Sequence, residues 1–335
     1  LGDVYKRQVV DHERVGDRNL REARKPPMIS GKTTLGTSAV LIVMLQGLVA
    51  ATAAAQDYAK DLPSIPGEFV DVGTHRLHYR CEGSGQPTLV IDNGIAGSAA
   101  EWYKVQNLLA SRYRTCVYDR AGYVWSEPGP APRTTSQIAS ELKSLLDNSG
   151  ESGPCVFVGH SFGGFTALRM ASLMSEQVAG LVLVDSSSPN VSFEHDKQQG
   201  PLVNPIAAGA ATGTDGVPST PQEMARFLNS RRKALFVQMD EIANFEVSAG
   251  QVIDERALRE LPILVVARDV GAQGDAVETR REAQWRQAQL QMTALSKVSE
   301  FALAEGSDHF IHLRKPQWLA GRIGSFVANL LPNGI

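Results

Sequence analysis

Cys155-Val156-Phe157-Val158-Gly159-His160-Ser161-Phe162-Gly163-Gly164 decides how this chain is read. Its first four residues are β-branched, aromatic or small and apolar, as in a buried parallel strand. The next five spell G-x-S-x-G, and Phe165 to Met174 carries apolar residues at helical spacing. G-x-S-x-G arises by chance in many chains. The order strand, motif, helix makes it informative here, because a serine at that junction is forced onto a sharp turn. Glycines two positions either side of Ser161 remove Cβ atoms that would clash in the turn. The hydroxyl is then exposed at a helix N-terminus, which favours a developing oxyanion. His160 sits inside the motif, but adjacent residues at an elbow point in different directions. It is expected to be a packed or hydrogen-bonded structural histidine.

Outward from this segment, strand-like runs alternate with amphipathic helical runs from Glu68 onward. The pattern predicts an α/β fold with a mostly parallel eight-stranded sheet covered by helices on both faces. The strands fall near 68–72, 75–81, 88–92, 114–119, 155–159, 180–185, 262–267 and 299–304. The first two are close enough for a hairpin through Gly73-Thr74, so the second runs antiparallel to the rest. Helix 134–149 has a capping box in Thr134 and Gln137, an apolar stripe in Ile138, Leu142, Leu145 and Leu146, and Gly150 as terminator. Ser98 is a candidate cap for a helix over 98–111. After the sixth strand the alternation stops. Residues 186–260 read as an insertion, Gly/Ala/Pro/Thr-rich over Pro201–Pro221 and helical over Met224–Phe245. A lid above the strand ends is the expected role, and a surface excursion without substrate contact is the alternative. The core is then 56–185 plus 261–335.

The chain has 335 residues and three cysteines, Cys81, Cys116 and Cys155, with no C-x-x-C pair or His/Cys cluster at metal-ligand spacing. Residues 1–27 read as a non-native or disordered leader, and Met28 as a start. Lys32, the apolar stretch Leu35–Val49 and Ala53-Ala54-Ala55 follow the plan of a secretory signal peptide over 28–55. That implies export to the periplasm or beyond; a membrane anchor over 35–55 is the alternative. The formal net charge is −3, and loss of residues 1–55, with 8 Lys/Arg and 5 Asp/Glu, makes it more acidic. Such a surface argues against nucleic acid as a partner.

A serine is a weak nucleophile at neutral pH and needs an adjacent base. His309, in Gly306-Ser307-Asp308-His309-Phe310 just after the last strand, falls on the sheet edge that carries the elbow. His312 lies further into the following element, His75 and His78 sit in the hairpin, and His195 is in the insertion. An oxyanion hole needs two backbone N–H groups, one from the residue after the nucleophile and one from the loop after the third strand. Those are Phe162 and Ile95, the latter in Asp92-Asn93-Gly94-Ile95-Ala96-Gly97-Ser98.

With these segments in order, the chain resembles the α/β-hydrolase family from Glu68 to Leu331. The resemblance is carried by Asn93-Gly94 with Trp102 downstream, Tyr118-Asp119-Arg120-Ala121-Gly122-Tyr123-Val124-Trp125-Ser126, the elbow, Leu181-Val182-Leu183-Val184-Asp185, and Gly306-Ser307-Asp308-His309 followed by Pro316. Asn93 stands where the family usually has His, and Val124 where a glycine is common. The resemblance implies a serine hydrolase, since epoxide hydrolases and dehalogenases of this fold carry Asp at the elbow. A carboxylesterase without cofactor, acting on a small ester or amide, is the leading expectation. An aminopeptidase or amidase, a lipase, a serine-dependent perhydrolase and a carbon–carbon bond hydrolase are the enzymatic alternatives. A non-catalytic binding protein that keeps the fold is the alternative from another class; intact Ser161, His309 and acid candidates speak against it.

The family order Ser, acid, His admits Asp185, Asp269 or Asp275 as the acid. The usual family position follows the strand beginning at Pro262, yet Ala267-Arg268-Asp269-Val270 lacks the common leading glycine and Asp275 lies deep in a longer loop. Asp185 directly ends its strand, as the acid does in some lipases of this fold, and is favoured. Many relatives, though, have an Asp there that only bonds loop amides. Asp308 is directed away from its neighbour His309. In this fold the second strand lies beside the one holding Cys116, which with export implies a Cys81–Cys116 disulfide and a free, buried Cys155. Three separate thiols are the alternative.

Overall fold

Successive side chains leave a strand on opposite faces, so an unbroken apolar strand must be covered on both sides. The computed structural model describes residues 65–151, 153–190, 220–252, 254–271 and 276–330. The strands are β1 (Glu68–Asp71), β2 (Arg76–Glu82), β3 (Thr88–Asp92), β4 (Thr115–Tyr118), β5 (Cys155–His160), β6 (Val178–Val184), β7 (Ile263–Asp269) and β8 (Ser299–Glu305). They form one sheet in the order β1-β2-β4-β3-β5-β6-β7-β8. β2 pairs antiparallel with β1 and β4, and the remaining pairs are parallel. Every residue of β3 and β5 is buried. Val90, Phe157, Leu183 and Val265 enter one core layer, and Leu89, Ile91, Val158, Val182 and Leu264 the opposite one.

The longer helices are α1 (Tyr103–Leu109), α2 (Thr135–Ser149), α3 (Gly163–Leu173), α4 (Pro221–Asn229), α5 (Arg232–Ala243), α6 (Phe245–Ala249), α7 (Ala276–Met292) and α8 (Pro316–Leu330). α2 and α3 supply Leu142, Leu145, Phe165 and Met170 to the first layer; α1 and α8 supply Val105, Leu109, Ile323 and Val327 to the second. Gly150 closes α2 at φ 79°. Only half of the expected capping box forms. The Gln137 N–H reaches Thr134 Oγ1 at 3.4 Å, but its side chain donates forward to Glu141 Oε1 at 2.9 Å. Ser98 makes no capping bond; Asp119 Oδ1 takes the Ala99 N–H at 2.9 Å, and the chain enters α1 through a 3₁₀ turn, Ala99–Trp102.

In the excursion after β6, the helical span expected over Met224–Phe245 is formed by α4 and α5, with α6 beginning at its end. α4 starts at Pro221 under a reciprocal Thr220–Glu223 box. Residues 191–219 lie outside the described residues, as do His195, Asp275 and the leader and signal-like segments. No helix among the described residues is long and apolar enough to cross a membrane.

Cys81 and Cys116 are register partners across β2 and β4 and form a disulfide. Cys155 is free and buried; burial, helped by the Glu151 carboxylate, pushes its thiol up to about 12. The bridge joins residues 35 apart, so its reduction should cost about 2–4 kcal/mol of stability. Thermal unfolding with and without reductant measures this; an unchanged Tm, or three alkylatable thiols in the folded protein, would contradict the bridge.

Candidate active site

Because β3, β5, β6, β7 and β8 are parallel, the loops that follow them gather on one edge of the sheet. Ser161 follows β5, Asp185 follows β6, and His309 comes four residues after β8. Ser161 holds φ at 51°, a left-handed conformation that L-residues seldom adopt. Its N–H donates to Val184 O at 3.2 Å, and its carbonyl accepts from Gly164 N at 3.0 Å and Ser187 N at 3.0 Å. The turn is therefore fastened to both α3 and the end of β6.

The flanking glycines are needed for close packing. A Cβ on Gly159 would lie 2.4 Å from Gly163 O, and one on Gly163 would lie 2.6 Å from Asp92 O and Asn93 O. A Cβ on Gly164 would meet Ser186 Oγ at 1.7 Å. Gly159→Ala must therefore push backbone against backbone, and a loss of about 1–3 kcal/mol is expected. Denaturant unfolding checks it, and an unchanged midpoint would show that the elbow tolerates expansion.

Asp185 is fully buried at φ 42°. Its Oδ2 meets His309 Nδ1 at 2.6 Å and accepts from Arg268 Nη1 at 3.0 Å; its Oδ1 accepts from Arg268 N at 3.0 Å and Trp285 Nε1 at 2.8 Å. Burial alone would raise this carboxyl. The Arg268 charge, the His309 bond and the Arg268 amide outweigh burial and hold it well below the usual carboxylate range. A carboxylate on Nδ1–H leaves Nε2 of His309 as the acceptor for a proton. Arg268 is in turn gripped by Glu282 at 3.0 and 2.8 Å. Ser161 and His309 are both only partly buried, whereas Asp185 is sealed from solvent.

The other candidates sit elsewhere. Asp269 Oδ1 is taken by Arg286 at 2.6 Å and Gly271 N at 3.1 Å. Asp308 pairs with Arg314 at 2.9 Å. His78 bonds Asp119 at 2.8 Å, and His75 lies 3.7 Å from Glu141. His312 is buried and stacks on Trp102 with centroids 4.4 Å apart. Burial, then the neighbouring His309, lowers its imidazole to about 3. His160 is buried with Nε2 2.9 Å from His309 O, and burial followed by the charges of His309 and His312 holds it well below the ordinary histidine value. It stays a neutral brace on the His309 backbone.

The loop after β3 rests on the serine: a Cβ on Gly94 would lie 3.4 Å from Ser161 Oγ. Among the described residues neither the Phe162 nor the Ile95 N–H has an acceptor. Asn93, at the family's histidine position, is buried with its Oδ1 unpartnered among the described residues. Val124, at the family's glycine position, keeps a left-handed φ of 36°. A β-branched residue there carries strain, and bonds from Val124 N to Asn229 Oδ1 and from Lys233 Nζ to Val124 O hold the turn.

A family model described as the alpha/beta hydrolase fold matches residues 87–238. Together with the order of the eight strands, this shows that the chain has the α/β-hydrolase fold. The matched stretch includes Ser161 and Asp185 and stops short of His309. Among curated relatives, the lipase LipV of Mycobacterium tuberculosis is 37% identical over 110 residues, 32% of this chain and 41% of that protein. A 2-hydroxy-6-oxo-6-(2'-aminophenyl)hexa-2,4-dienoic acid hydrolase of Metapseudomonas resinovorans is 31% identical over 138 residues, 41% of this chain and 47% of that protein. The chain thus spans less than half the length of either relative. The solved enol-lactonase of Burkholderia xenovorans LB400 superposes with a TM-score of 0.55 at 18% identity, covering 78% of this chain and 99% of that one. At that identity the likeness concerns the fold.

Arg268, Trp285 and Glu282 were not singled out from the sequence.

Proposed function

We propose that this α/β hydrolase is a serine carboxylesterase whose triad is Ser161, His309 and Asp185. The observation that carries the reading is the buried Asp185 carboxylate 2.6 Å from His309 Nδ1, on the sheet edge that holds Ser161 in its strained turn. Ser161 Oγ attacks the ester carbonyl while His309 Nε2 takes its proton. The tetrahedral oxyanion is held by the Phe162 and Ile95 N–H groups. His309 then protonates the departing alkoxide. A water attacks the acyl-enzyme by the same route and regenerates Ser161. The insertion 186–260 shapes the acyl pocket.

The segment 28–55 and the disulfide favour an exported protein. Sequencing the mature N-terminus tests this; Gln56 is the expected first residue.

Esters of graded acyl length, a peptide series and a vinylogous 1,5-diketone, assayed beside a fluorophosphonate probe, test the function. Probe attachment at Ser161 with ester turnover supports the reading. Absence of labelling would return the chain to the class of non-catalytic binding proteins. The dienoic acid hydrolase relative motivates the diketone. Turnover of it in preference to esters would favour carbon–carbon cleavage by the same residues.

A further inference from the structure

A peptide unit is planar and trans, so whatever fixes its carbonyl also fixes the direction of the following N–H. The Ile95 N–H shares its peptide with the Gly94 carbonyl. That carbonyl accepts from Arg120 Nη2 at 2.9 Å. Arg120 Nη1 also donates to Asn93 O and, at 2.9 Å, to Asp92 Oδ1. The guanidinium is buried and cannot reorient without losing several bonds.

The second carboxylate on Arg120 comes from outside the core. Glu241, on α5 of the excursion, is fully buried and accepts from Arg120 Nε at 2.9 Å and Nη2 at 3.1 Å. The same carboxylate accepts from Tyr123 OH at 2.7 Å, and that hydroxyl accepts the Ala96 N–H at 3.2 Å. Asn229, at the end of α4, donates to Ala96 O at 3.0 Å and Gly97 O at 3.3 Å. The carbonyls of residues 93, 94, 96 and 97 are thus all held, directly or through Arg120, by side chains that the excursion supplies or anchors. A buried charge is costly unless it is paired, and separating α5 from the core would leave the Arg120 guanidinium with one carboxylate, Asp92, in place of two.

We propose that α4 and α5 are a fixed brace for the oxyanion loop, with Glu241 and Asn229 as positioning residues that aim the Ile95 N–H through Arg120 and Tyr123. The proposal rests on the catalytic reading above and adds a second task to the insertion. It predicts that these residues act on the transition state and leave ground-state ester binding alone, because the hole is complementary to the oxyanion.

The test uses the full chain and three variants: Glu241→Gln, Arg120→Lys and Asn229→Ala. Rates are normalised to the folded fraction measured by circular dichroism. For Glu241→Gln and Arg120→Lys the expected result is a fall in kcat of about 10- to 100-fold with KM within about threefold. The phosphonylation rate and the affinity for a trifluoromethyl ketone should fall in step. Asn229→Ala should show the same pattern more weakly. Should Glu241→Gln fail to fold, Arg120→Lys, which keeps the charge but loses the forked grip, decides in the same way. Unchanged kcat in the folded variants, or an effect on KM alone, overturns the proposal. Collapse of all three variants would also overturn it, since the cluster would then be a folding element. A wild-type protein that the probe does not label would instead sink the catalytic reading and leave the brace geometry standing.

Discussion

Replacing Ser161 by alanine is expected to remove ester hydrolysis by about four or more powers of ten while leaving the protein folded. The argument is local. Ser161 carries φ 51° for any side chain placed there, and its backbone bonds to Val184, Gly164 and Ser187 do not involve the hydroxyl. Alanine keeps the turn and loses only the hydroxyl. The elbow glycines, whose missing Cβ atoms allow Asp92, Asn93 and Ser186 to approach, are unchanged. Stability by denaturant unfolding should therefore stay close to wild type. Turnover and fluorophosphonate labelling should vanish together. A folded Ser161→Ala protein that still turns over esters at the wild-type rate would end the serine mechanism.

Asp185→Asn is expected to cut kcat by up to about 10⁴, because an amide at that position cannot accept from Nδ1–H as a charge and no longer stabilises the imidazolium formed during turnover. The same change should also affect stability, and its pH dependence has a definite sign. The folded-state carboxyl is depressed, so its stabilising contribution is present above the ordinary carboxylate range. It is lost as pH falls through the lowered value. The gap in unfolding free energy between wild type and Asp185→Asn should then be widest near neutrality and narrow below about pH 4. Arg268 sharpens the effect: its guanidinium is raised above its ordinary value, burial opposing and the charge of Asp185 and the Glu282 bond driving the shift. Loss of the Asp185 charge leaves Arg268 with Glu282. By contrast, Asp269→Asn should disturb only the Arg286 pair at the partly exposed edge. If Asp269→Asn lost turnover and Asp185→Asn kept it, the acid assignment would move to the later loop.

The strand positions, the antiparallel second strand and the helices over 134–149 and after Pro316 were legible because each depends on periodicity within a few residues. Thr134 shows the limit of that reading. Its cap on α2 follows from sequence, but the reciprocal bond from Gln137 does not form, since Glu141 one turn on competes for the amide. The boundaries of the three helices between Thr220 and Gly250 leave little periodic signal, because apolar residues exposed on α5, such as Phe236 and Met239, blur the helical stripe.

Local order along the chain was enough to place a serine on a strand-to-helix turn and a histidine loop on the same sheet edge, since parallel strands must end together. Which carboxylate meets His309 depended on the register of β6 against β7, contacts between residues more than 80 positions apart that leave no local periodic trace. Tertiary structure brought Asp185 to His309 and gave Asp269 to Arg286. It also buried Glu241 against Arg120, 121 positions away. A buried charge takes the partner that packing brings within bonding distance, and packing is a property of the whole fold.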